Sequence, residues 1–171
     1  MLNLTATIIA TIIAASTLNS LPKLSQEHTS DITSMTQEQR IEKAKALYEK
    51  GFDYEYGITK TVDRTLADKF LKDAADLDDA DALFFLGMNA IDNGDLEQAR
   101  KYADSAIELG NMAGKYILAE IFEQEYFGDS EELYKAGFKA LKEKVEQGDL
   151  HYSNVLGYAY RFGIGTEENI T

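Results

Sequence analysis

Histidines, clustered carboxylates and serines are the side chains that could do chemistry here, and their spacing decides which chemistry is open to them. Two histidines occur, His28 and His151. Neither has a cysteine or carboxylate at the helical spacing that a zinc site needs. The densest acidic run is Asp73, Asp76, Asp78, Asp79 and Asp81. A calcium loop counted from Asp76 would need glycine in sixth place and glutamate in twelfth, where the chain has Asp81 and Gly87. The run therefore reads as an acidic corner between two helices, with Asp79 or Asp81 capping the second. Ser105, Ser130 and Ser153 sit in no nucleophile-elbow context. Gly163-Ile164-Gly165 follows a helical pattern rather than a strand, which excludes a dinucleotide loop. Paired carboxylates abound at this composition and do not by themselves mark a glycosidase. No catalytic residue, metal ligand or cofactor site is assigned, and the chain is read as a non-enzyme.

Charge narrows the partners. Thirty acidic against seventeen basic residues give a formal net charge of −13 over 171 residues. That sign opposes the phosphate backbone of a nucleic acid and an anionic membrane surface, whereas a basic protein or peptide would be steered in. The chain has no cysteine, hence neither disulfides nor a lipid-attachment thiol. Leu2 to Leu21 carries no charge, and its centre, Ala6 to Ala15, has the length of a signal-peptide apolar region. Ala14 and Ser16 offer small residues for cleavage after Ser16, although no Lys or Arg precedes the run. Residues 1–16 are thus read as an export signal and 17–35 as a polar linker, with a periplasmic or secreted location. An uncleaved N-terminal anchor is the alternative.

The folded part is expected to begin at Thr36, which with Gln39 has the capping-box pattern. Apolar residues then recur at three and four. The pattern predicts helices over Ile41–Tyr54, Arg64–Leu77, Asp81–Asp92, Leu96–Leu109, Met112–Tyr126, Ser130–Gln147 and Leu150–Phe162. Asp63 and Asp95 stand at N-cap positions, and Gly110 stands where a helix closes.

Small residues return in register along these helices. Ala46, Gly51, Gly57, Ala67 and Ala74 come back as Ala82, Gly87, Ala99 and Ala106, then as Gly114 and Ala119, and finally as Tyr152, Gly157 and Gly163. The steps from Ala46 to Ala82, to Gly114 and to Tyr152 are 36, 32 and 38 residues, the length of one helical hairpin. The fold class is accordingly all-α: an α/α solenoid of about three and a half helix-turn-helix repeats. The copies span about 42–77, 78–109, 110–147 and 148–171, the last without a second helix. That gap leaves Leu156, Tyr160 and Phe162 poorly covered. Glycine or alanine at the repeated positions is expected to let paired helices approach closely.

The stretch Leu156-Gly157-Tyr158-Ala159-Tyr160-Arg161-Phe162-Gly163-Ile164-Gly165 resembles the Leu-Gly, aromatic, Gly-x-Gly pattern of the Sel-one-like repeats, a subclass of tetratricopeptide-like solenoids. Gly51, Tyr54, Gly57, Asp63, Ala67, Phe70 and Ala74-Ala75 match it in the first copy. The second copy is similar to an ordinary tetratricopeptide repeat, with Leu86-Gly87, Gly94, Ala99 and Ala106. The third departs most: Ala119 replaces the glycine, and Gly137, Ala140 and Lys144 take the second-helix positions.

The resemblance implies binding rather than catalysis, through the concave face of the stack. Its groove positions fall on Tyr48, Phe52 and Tyr56, then Phe84 and Met88, then Tyr116 and Glu120, then Tyr158 and Phe162. For each aromatic, core packing is the competing reading. The family resemblance implies an adaptor or regulator of envelope assembly. An immunity protein that neutralises a secreted effector is the second reading, and a hydrolase on a repeat scaffold the third.

Overall fold

The computed structural model describes residues 34–126 and 130–166, which excludes the expected export signal and nearly all of the linker. The chain divides into two compact units between Arg40 and Ile41, and the packing described below belongs to the second. The described residues form helices and no strand. These are α1 (Gln37–Tyr56), α2 (Arg64–Ala75), α3 (Ala80–Asp92), α4 (Leu96–Glu108), α5 (Gly114–Tyr126) and α6 (Glu131–Glu146). A 3-10 turn, Leu150–Tyr152, then leads into α7 (Ser153–Phe162). None of the helices is long and apolar enough to cross a membrane.

The helices begin where polar side chains satisfy their free amides. At the head of α1 the box is reciprocal: Thr36 N–H donates to Gln39 Oε1 at 2.9 Å, and Gln39 N–H to Thr36 Oγ1 at 3.2 Å. Asp63 accepts from Leu66 N–H at 3.0 Å, Asp79 from Asp81 and Ala82 N–H at 3.1 and 2.8 Å, and Asp95 from Gln98 N–H at 3.0 Å. Asp79, not Asp81, is therefore the cap of the acidic corner, and Asp81 is left for other work.

Packing runs along the chain, α2 on α3, α3 on α4, α4 on α5, α5 on α6 and α6 on α7, with α3 also touching α5. Alanines close the interfaces: Ala67, Ala74, Ala99, Ala103 and Ala106 are wholly buried. At Gly51 a methyl group would lie 2.9 Å from Leu71 Cγ, and at Gly87 2.6 Å from Ile117 Cδ1. The third copy solves the same steric problem from the other side. Where Ala119 stands on α5, the close approach is made by Gly137 on α6, whose added Cβ would meet the Tyr116 backbone at 2.4 and 2.7 Å.

Gly157 is the exception to the expected role of these glycines. It lies on the exposed face of α7 with nothing within 4 Å of an added Cβ. The expectation of poor cover at this end also needs correcting in part: Leu156 is buried, and Tyr160 packs edge-on against Phe138 at 5.0 Å. Only Phe162 of the three is exposed.

The two glycines make a paired test. Gly137→Ala should destabilise by about 1–3 kcal/mol, because backbone cannot yield as a flexible side chain can. Gly157→Ala, in open space within a helix, should stabilise by about 0.5–1 kcal/mol. Chemical denaturation of the two variants against the wild type measures both signs.

Candidate functional site

The predicted aromatic row does not lie on one surface. Along each helix it runs from core to solvent: Tyr48 is 4% exposed, Phe52 7% and Tyr56 45%. Phe84 and Tyr116 are buried, Met88 and Glu120 half-buried, and Tyr158 and Phe162 exposed. Four of the nine groove positions, Tyr48, Phe52, Phe84 and Tyr116, are thus core residues rather than surface anchors.

The cause is a segment far away in sequence. Two side chains of the turn Leu150–Tyr152 pack on these rings, Tyr152 on Phe84 and the neighbouring Phe85 at centroid distances of 5.0 and 5.2 Å. His151 sits 4.0 Å from Phe52 and edge-on to Tyr48 at 5.1 Å. Its imidazole also spans two carboxylates, Nδ1 lying 3.0 Å from Asp149 Oδ1 and Nε2 3.3 Å from Glu49 Oε2. On the other flank Tyr116 is covered by Tyr134, T-shaped at 5.3 Å.

Beneath the turn lies a buried polar knot that the sequence pattern did not disclose. Asn111 is 2% exposed. Its amide donates to Tyr152 Oη at 2.6 Å, to Asp81 Oδ1 at 2.9 Å and to the Ala80 carbonyl at 3.2 Å. Its own oxygen accepts from Ala113 N–H at 3.1 Å. Tyr152 in turn donates to Asp81 Oδ1 at 2.8 Å, and Lys144 pairs with the same oxygen. Asn111 carried a faint signal, a polar residue directly after the closing glycine Gly110. The repeat register offers another, since it aligns Asp81 and His151 with the exposed Lys45, a polar position in each copy.

The members that remain accessible form a strip with its own electrostatics. Aligning the copies places Tyr56 with Asp92, Gln124 and Phe162, one turn beyond Phe52, Met88, Glu120 and Tyr158. Asp92, Glu123 and Gln124 are exposed. Burial raises the Glu120 carboxyl above its ordinary range, and the charges of Asp92 and Glu123 raise it further. Burial also raises the Tyr56 hydroxyl, with Glu55 and Asp92 adding to the effect. Tyr116 Oη is buried without a hydrogen-bond partner, and its hydroxyl is raised by burial first and then by Glu120, Tyr158 and Glu123. Tyr134 donates to Glu123 at 2.7 Å. Exposed aromatics accompany these acidic groups: Tyr56, and the pair Tyr158 and Phe162, whose rings lie tilted to each other with centroids 4.5 Å apart.

Two clefts open beside these elements. One, of about 440 Å³, lies between Glu55, Arg64, Lys72, Asp92 and Tyr102 and mixes charges of both signs. The other, of about 670 Å³, is bounded by α1, the Leu77–Asp81 corner and the segment 147–151. Among the described residues no group of three or more histidines and carboxylates is placed to hold a metal ion. No protein-family model matches the chain, and a search of the curated proteins gives no match either.

Glu120 yields a pH test. Its raised folded value, against 4.5 for the free side chain, means that burial favours the neutral acid. That stabilisation is complete below pH 4.5 and is lost as pH rises through the folded value, so the carboxylate is a cost at neutral pH. Glu120→Gln should raise the melting temperature at pH 7 to 8, and the difference should vanish below about pH 4. Thermal unfolding across this range reads the sign.

Proposed function

We propose that the chain is a Sel-one-like helical solenoid that binds a basic segment of another protein and catalyses no reaction. The observation that carries this reading is that Tyr56, Tyr158 and Phe162 are exposed at groove positions that share their register with Asp92 and the half-buried Glu120. Partly desolvated aromatics are the residues from which interfaces draw anchoring energy. Carboxylates kept close together against their mutual repulsion are relieved by an incoming Lys or Arg, which adds electrostatic steering to the contact. The overall charge of −13 has the same sign. The close approaches at Gly51, Gly87 and Gly137 support repeated hairpins of one kind. An extracytosolic location rests on the uncharged apolar run from Leu2 to Leu21.

The core members of the row and its exposed members should behave in opposite ways. Replacing Phe84 by Ala should cost about 3–5 kcal/mol of stability, as deletion of a buried aromatic does. Tyr158→Ser with Phe162→Ser should leave melting nearly unchanged and weaken capture of the partner at least tenfold, given anchors worth about 2 kcal/mol each. Affinity capture from the source cells, scored for the same band with wild type and double variant, tests this. A folded double variant that captures the band undiminished would move the binding face elsewhere. Mass spectrometry of the recovered protein should find an N-terminus near Thr17, and a full-length cytosolic product would overturn the location.

A further inference from the structure

The cleft between α1, the Leu77–Asp81 corner and residues 147–151 lies apart from the aromatic strip and has a different chemistry. Five carboxylates line it, Glu49, Asp78, Asp79, Asp81 and Asp149, facing one lysine, Lys45, and one histidine, His151. Its apolar lining includes Ile41 and Leu150, both largely exposed, and the buried Leu77. A volume of about 670 Å³ falls within the range of small-ligand sites.

The carboxylates are not equally engaged. Asp81 is met by Lys144, Asn111 and Tyr152, while Glu49 and Asp149 flank His151. Asp79 makes both of its cap bonds through Oδ1, and burial raises its carboxyl above the ordinary range. Tyr48 adds an independent observation. The residue lines the cleft and is 4% exposed, and its hydroxyl has no hydrogen-bond partner. Burial raises that hydroxyl first, and the charges of Asp149, Asp81, Glu49 and Asp79, all of which also line the cleft, raise it further. A buried hydroxyl without a partner is costly, and such groups are ordinarily satisfied by a protein group, an ordered water or a ligand.

We propose that this cleft binds a primary ammonium group on an aliphatic stem, the ammonium donating to Tyr48 Oη and the Asp79 carboxylate while Ile41 and Leu150 cover the stem. An ammonium supplies three donors and no acceptor, which suits a site made of carboxylates and one hydroxyl. Lys144 on Asp81 is the same pairing made within the chain. The source is either a lysine of a bound protein or a free aliphatic polyamine.

The test is an NMR titration of the full chain, following the amides of Glu49, Asp79 and His151. The probes are Nα-acetyl-lysine N-methylamide, its uncharged norleucine counterpart, and spermidine. Saturable shifts with a charged probe and none with norleucine are expected; the lysine compound alone points to a protein source, spermidine alone to a free amine. Tyr48→Phe should bind at least fivefold more weakly while melting no lower than wild type, because it deletes only an unpartnered hydroxyl. Asp79→Asn, which keeps an N-cap side chain, should weaken binding likewise. Norleucine shifting the same amides equally, no response to either amine, or undiminished affinity in Tyr48→Phe would each overturn the proposal. Tyr158→Ser with Phe162→Ser should leave this titration unchanged, so failure here and failure of the aromatic strip are read separately.

Discussion

The Asp81 carboxylate is the point on which the packing of the described helices depends. A carboxylate drawn partly out of water needs partners inside the fold. Asp81 finds them in Asn111, Lys144 and Tyr152, from the α4–α5 junction, the last turn of α6 and the turn that starts the final helix. Each of these is committed in turn, Asn111 by capping the approach to α5 through Ala113. The knot fixes where Tyr152 sits, and Tyr152 fixes the positions of Phe84 and Phe85 beneath it. Such a network is worth most when every member is satisfied, so exchange of one of the four is felt by the others.

The same placement explains how an aromatic row with one sequence spacing acquires two roles. Tyr48, Phe52 and Tyr56 are four residues apart on one face of α1, and the pattern alone gives them one environment. What separates them is the cover of Phe85 and His151, which pack on the first two and leave the third in solvent. Phe84 and Met88 divide in the same way under Tyr152. Surface and core are thus assigned by a contact from the end of the chain, and the boundary between them falls within one helical turn.

Local rules carried the elements well. The cap residues Thr36, Asp63 and Asp95 mark helix starts in sequence and do so in the fold. The helix ends lie within a few residues of where periodicity puts them, since caps and 3.6-residue repeats are local properties. Burial along the row was not legible, because it depends on a segment whose position no local pattern specifies. Nor was the role of His151: two carboxylates and two rings reach it from separate parts of the chain, and only Asp149 is near in sequence. Gly137 was visible as a departure from the repeat pattern, but its meaning, a close approach moved from one helix to its partner, needed the pair of helices together.

The contacts of His151 with Tyr48 and Phe52 also bear on how the chain comes apart. Hairpins that touch only their neighbours unfold like a zipper, with each end free to fray on its own. Here the first helix of the packed unit and the segment before the last are joined directly, although most of the chain lies between them. Loosening one end removes cover from the other, so the weakest units are tied to each other instead of to water. This adds long-range closure to a topology otherwise built from local contacts, which slows folding because the loop must close before the contact rewards it. It also couples the hairpins into one transition, and it sets a limit on growth: a further hairpin inserted between them would have to part the two ends that hold the core shut.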